Sequence, residues 1–151
     1  MKKLILTLFA AVALLSATSA IAQTNKYVYT EASEFTIVGK LMPGKTANPY
    51  HRVDTTLYKG FTKRENRLVR MSSGMAIAFK TNSKSISVLT EYGYKDDPVN
   101  TSIISGCGYD LYIKQNGEWL WAASGVAPRQ SMNSPLRIIA HMDATEHECL
   151  L

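Results

Sequence analysis

Gly108-Tyr109-Asp110-Leu111-Tyr112-Ile113-Lys114-Gln115-Asn116-Gly117-Glu118-Trp119-Leu120-Trp121-Ala122-Ala123 is the stretch that decides the fold class. Asn116-Gly117 is the strongest two-residue hairpin signal. A type I′ turn needs positive φ at both central positions, which Asn and Gly reach at least cost. Placing the turn there sets a register. Gln115 faces Glu118, Lys114 faces Trp119, Ile113 faces Leu120, Tyr112 faces Trp121 and Leu111 faces Ala122. Side chains alternate along a strand, so two faces separate. Leu111, Ile113, Leu120 and Ala122 make an aliphatic face suited to a core. Asp110, Tyr112, Lys114, Trp119 and Trp121 make the other.

That second face concentrates three large aromatics at solvent-side positions, which strands seldom leave bare. Three readings are open. It is a second buried layer with Lys114 lying over Trp119, a docking surface for another domain, or a platform on which sugar rings stack.

Outward from the hairpin, the chain reads as short strands parted by turns. Glu34–Val38 alternates polar and apolar. Leu41–Pro49 is a loop. Leu68–Met71 reads as a short strand. Met75, Ile77 and Phe79 share a face, and Thr81-Asn82-Ser83 breaks that strand. Ile86 and Val88 share the next. Tyr92–Asn100 is a loop, Leu136–Ala140 a strand, and His147–Leu151 begins a last one. Long amphipathic helices are absent from the pattern. An all-β fold is expected, an antiparallel β-sandwich.

The whole chain has 151 residues, 46% hydrophobic and 19% charged, a globular composition. Met1-Lys2-Lys3, the apolar run Leu4–Ala17 and the small residues of Ala20-Ile21-Ala22 have the layout of a secretory signal. Residues 1–22 are therefore read as a signal peptide and residues 23–151 as one domain. The apolar run is short for a bilayer span, and no Cys near the cut supplies a lipobox. A periplasmic or secreted protein with no membrane attachment after cleavage is expected. The formal charge of +5 loses Lys2 and Lys3 with the signal, leaving no nucleic-acid footprint. Export permits a disulfide between Cys107 and Cys149, worth about 4 kcal/mol in the chain-entropy model. The alternative is two separate buried thiols.

A search for chemistry finds no catalytic set. Neither Gly-x-Ser-x-Gly nor Gly-Asp-Ser occurs, and Ser72-Ser73-Gly74 reads as a turn. His141-Met142-Asp143 with Glu146-His147 fits no strong zinc spacing, and Asp143-Ala144-Thr145 reads as a turn. Asp96-Asp97 before Pro98 is turn chemistry, not a glycosidase pair. Lys63-Arg64-Glu65-Asn66-Arg67 reads as a solvated loop. No Gly-rich phosphate loop exists. No metal and no cofactor are expected.

Gly108-Tyr109-Asp110-Leu111-Tyr112 resembles the Gly-x-Asp-Leu-Tyr signature of a domain that precedes SGNH-type (GDSL-like) esterase domains in bacterial secreted proteins. Tyr50-His51-Arg52, Arg67–Arg70, Ala76–Val88, Trp119-Leu120-Trp121 and Glu148–Leu151 are similar to further segments of that family, in the same order. The segment Tyr94–Ser105 lacks the His-Met pair the family would place there. The resemblance spans residues 27–151.

The resemblance implies a jelly-roll-like β-sandwich followed by a separate SGNH hydrolase domain as partner. The nucleophile Ser and its Asp and His would lie in that second domain. Gly108, Asp110, Leu111 and Tyr112 become motif residues with a structural role, with Arg52 or Arg70 as partners for Asp110, or else Asp110 contacts substrate directly. Tyr112, Trp119 and Trp121 become the candidate docking or glycan face. Because Glu148-Cys149-Leu150-Leu151 stops on apolar residues, the sandwich is expected to be incomplete at its C-terminus. The expectation is a non-catalytic N-terminal domain of an exported esterase acting on acylated carbohydrate. The alternative is a free-standing carbohydrate-binding or structural sandwich.

Overall fold

The structure is a computed structural model and describes residues 27–42, 44, 46–93, 100, 102–127 and 134–151. Contacts group the chain into Met1–Thr30 and Glu31–Leu151. In the first unit only Tyr27–Thr30 are described, with the Tyr27 and Tyr29 rings 6.1 Å apart. The expected signal peptide and Asp96-Asp97-Pro98 lie outside the described residues. Among those described, no helix is long and apolar enough to cross a membrane.

The second unit is an all-β sandwich built from antiparallel strands. These are β1 (Thr36–Val38), β2 (Ala76–Thr81), β3 (Ser85–Val88), β4 (Gly108–Gln115), β5 (Glu118–Val126), β6 (Leu136–Ala140) and β7 (His147–Leu150). One sheet has five strands in the order β1-β2-β7-β4-β5, and the other pairs β3 with β6. The chain leaves the large sheet after β2, returns at β4, leaves again at β6 and comes back at β7. Such crossing between two layers gives the jelly-roll-like character. The last strand inserts between β2 and β4. Ile77 and Leu151 extend its pairing by exchanging backbone hydrogen bonds of 2.7 and 3.0 Å.

Inward residues of both sheets make the core. Leu111 and Cys149 are fully buried, with Ile86, Ile113 and Ile138 nearly so, and Phe79, Val88, Leu136 and Leu151 pack around them. The sheets approach closely at Gly125, where a Cβ would meet Ile138 Cδ1 at 3.0 Å. A larger residue there would push the layers apart.

Three local expectations are corrected. Lys63–Leu68 is a helix, α1, not a solvated loop. Its start is a capping box. The Thr62 side chain accepts from the Glu65 N–H at 3.3 Å, while the Glu65 carboxylate accepts from the Thr62 N–H at 2.8 Å. Leu68–Met71 is not a strand, because the chain turns as α1 ends. Val69 N–H donates to Glu65 O at 2.9 Å and Met71 N–H to Leu68 O at 3.2 Å. Glu34 closes a 3-10 turn, Ala32–Glu34, so β1 starts only at Thr36. A short helix α2, Ile103–Cys107, also precedes β4 directly.

Candidate docking face

The β4–β5 hairpin turns at Asn116 (φ 51°) and Gly117 (φ 87°), the two positive values a type I′ turn requires. The expected register holds from Gln115–Glu118 to Tyr112–Trp121. Beyond it the register shifts, and Leu111 pairs with Ala123 instead of Ala122. An extra residue on β5 is absorbed as a bulge. Ala122 and Ala123 both pack against the core as a result. Leu120, expected in the core, is 45% exposed. It sits on the edge strand of the large sheet, and among the described residues two strands, β3 and β6, form the facing sheet.

The motif residues have distinct structural tasks. A Cβ on Gly108 would lie 2.2 Å from Ile104 O and 2.7 Å from Ile104 Cγ1. Gly108 N–H also donates to Ile104 O, closing α2. The strand thus starts against the helix end with no room for a side chain. Leu111 is the fully buried centre of the core. Tyr112 is half-buried and sits opposite Leu150 on β7. Asp110 is exposed, paired in register with Ser124. The arginines expected to hold it are engaged elsewhere. Arg52 Nη2 donates to Leu68 O at 2.7 Å, and Arg70 Nη2 to Thr55 Oγ1 at 3.2 Å.

The outer face of the large sheet is organised in rows. Registers place Lys80 opposite Glu148, and Lys114 opposite Trp119. Lys114 Nζ reaches Glu148 Oε2 at 3.0 Å, and Lys80 Nζ is 3.7 Å from Glu148 Oε1. The paired lysines hold the Glu148 carboxyl below its usual range, Lys114 contributing most. Lys114 Nζ also lies 5.6 Å from the Trp119 ring centroid. The neighbouring row runs Ala78, Leu150, Tyr112, Trp121. Trp119 is 42% and Trp121 60% exposed. The second-buried-layer reading is therefore overturned, and the docking and sugar readings stand.

The cysteines are free thiols, Cys149 buried and Cys107 half-buried. The disulfide is excluded by the pairing itself. Cys149 faces Ile113 across β7 and β4, and Cys107 precedes Ile113 by six positions. Along a strand that is about 20 Å, far beyond the reach of an S–S bond. Burial raises the Cys149 thiol pKa. Asp143 forms the turn read from the sequence, accepting from Thr145 N–H at 3.0 Å and meeting His147 Nε2 at 2.8 Å. Ser72-Ser73-Gly74 is likewise a turn, with Met75 N–H bonded to Ser72 O at 2.9 Å.

One cluster was invisible in the sequence. At the far end of β4, the hydroxyl of Tyr109 bonds to that of Thr90, and the hydroxyl of Tyr92 donates to Cys107 O at 3.2 Å. With Val88, Ala127, Ser134 and Leu136 they line a shallow pocket. Burial, then the Tyr109 hydroxyl, pushes Tyr92 well above the usual phenol range. The spacing of three hydroxyls across one loop and one strand gives no linear signal.

Comparison with known proteins gives consistent findings. The family model GxDLY, described as the N-terminus of SGNH-hydrolase-type esterases, matches residues 25–151. A crystal structure from Bacteroides ovatus ATCC 8483, described as a GDSL-like lipase, is similar with 31% identity and a TM-score of 0.70. The match covers 82% of this chain and 35% of that one, so the chain spans about a third of its length. No curated protein matches. With the Gly-x-Asp-Leu-Tyr residues seated at the start and centre of β4, the chain belongs to the GxDLY family, the N-terminal domain of SGNH-type esterases.

Proposed function

We propose that this domain is the non-catalytic N-terminal sandwich of an exported SGNH-type esterase that removes acyl groups from carbohydrate. Its role is to pack beside the hydrolase domain, which carries the Ser nucleophile and forms the acyl-enzyme intermediate. The observation that carries the reading is the uncovered pair Trp119 and Trp121 on an edge strand. Large aromatics at such positions suit burial against a partner. Of the motif residues, Gly108 and Leu111 are taken up by packing within the sandwich, whereas Tyr112 belongs to the outer-face row that ends at Trp121. Export rests on the signal-like residues 1–22.

Purified residues 23–151 should not hydrolyse a chromogenic acetyl ester, and measurable turnover would overturn the proposal. A second reading is favoured by the spacing of the two indoles, about 7 Å apart on one face, which suits stacking of successive sugar rings. It predicts that a soluble glycan quenches Trp fluorescence and that Trp121→Ala removes the effect. The docking reading predicts no response across a glycan panel.

A further inference from the structure

The charge of this chain is unevenly distributed. Between Lys40 and Arg70 there are eight Lys and Arg residues against two acids, Asp54 and Glu65. Across residues 23–39 and 71–151 the balance reverses, with seven basic and ten acidic residues. Both acids of the basic segment are occupied with local backbone. Asp54 accepts from the Thr56 hydroxyl at 2.6 Å and the Thr56 N–H at 2.8 Å. Glu65 caps α1 through Thr62. Among the described residues, no ion pair joins Lys59, Lys63, Arg64 or Arg70 to a carboxylate, and all four side chains are exposed.

Folding gathers these cations. Val53 N–H bonds to Val69 O at 3.3 Å, and Arg52 reaches Leu68 O, so the strip after His51 lies against the end of α1. His51 sits in the field of both Arg70 and Lys40. Arg52 and Arg70 therefore lie at the C-terminal end of α1, whose first turn carries Lys63 and Arg64, and Lys59 lies in the field of Asp54 beside them. We propose that this basic surface binds an acidic polysaccharide, with guanidinium and ammonium groups on its carboxylates. Two of the four exposed cations are arginines, Arg64 and Arg70, and the planar fork of Arg matches a carboxylate in two parallel bonds. Tyr58, 48% exposed beside Lys59, adds a flat ring for a pyranose face. The competing partner is an anionic lipid surface. A six-residue helix is too short to lie in a bilayer interface as an amphipathic anchor.

The choice of a glycan rests on the carbohydrate reading above, but its test reads binding and not hydrolysis, so either can fail alone. Polygalacturonate is titrated into the purified chain by calorimetry at low salt, beside phosphatidylglycerol vesicles. Polygalacturonate should bind, more weakly as salt rises, and vesicles should not. Lys59→Glu, Lys63→Glu and Arg64→Glu together should weaken binding at least about tenfold. Lys63→Arg with Arg64→Lys should retain it. Should the triple variant lose its near-UV spectrum, Arg64→Glu alone serves, with a smaller loss expected. No binding of polygalacturonate, binding unchanged by charge reversal, or vesicle binding of equal or greater strength would each overturn the proposal.

Discussion

Gly108 has an ordinary φ of −86°, so its requirement is spatial and not conformational. Ile104 O occupies the position a Cβ would take. Gly108→Ala should therefore cost about 1–3 kcal/mol through forced displacement of α2, read as a lower urea midpoint at unchanged slope. The sequence showed that a Gly stands at the head of the motif. It could not show why, because the obstructing atom belongs to a helix that its sequence, Ile-Ile-Ser-Gly-Cys, does not advertise. Asp143 was more legible, since an Asp two residues before a Thr is ordinary turn chemistry. The hydroxyl and N–H of Thr145, then His147, hold its carboxyl at about 2, against an ordinary 3.8. A carboxyl depressed in the fold contributes stability in full above its ordinary value and loses it as pH falls toward the depressed one. An NMR titration of Asp143 should accordingly find a midpoint near 2. A midpoint at the ordinary value would contradict the turn geometry.

Among the elements, the β4–β5 hairpin was read almost completely, because its turn and its alternation are both local. The bulge beyond Tyr112 was not, since the signal for it lies in pairing with β7 and in the closeness of β6, both distant in sequence. Leu120 was misassigned for a related reason. Alternation tells which face a residue occupies but not whether another layer reaches that far. α1 is the opposite case: its capping box stood in the sequence as Thr62-x-x-Glu65 and was hidden by the charge run around it. Thr62→Ala should cost about 1 kcal/mol. It should also speed amide exchange at Glu65 in the native protein, where the cap now protects that N–H. Unchanged exchange would show the cap to be idle.

At the scale of the whole molecule, sandwich and family were both within reach of the sequence, whereas the disulfide was not. Two cysteines in a chain read as exported invite pairing, but only the order of strands reveals that one is central and the other lies at the end of the helix before β4. Iodoacetamide should modify Cys107 in the native protein and reach Cys149 only after urea unfolding, because Cys149 is fully buried. Intact mass without reductant should correspond to two thiols, and a mass lower by two hydrogens would reject the pairing described. The same strand that shelters Cys149 bears on how the chain assembles. β7 is made after every other described strand, yet it joins β2 to β4. Until it arrives, β1-β2 and β4-β5 are two separate ribbons with unpaired edges, held in no common sheet. Closure depends on contacts spanning nearly seventy positions, between Thr81 and His147, and such long-range pairing slows folding. Synthesis and assembly thus run in opposite order, and until β7 is made the nascent chain must keep two open edges from finding other partners.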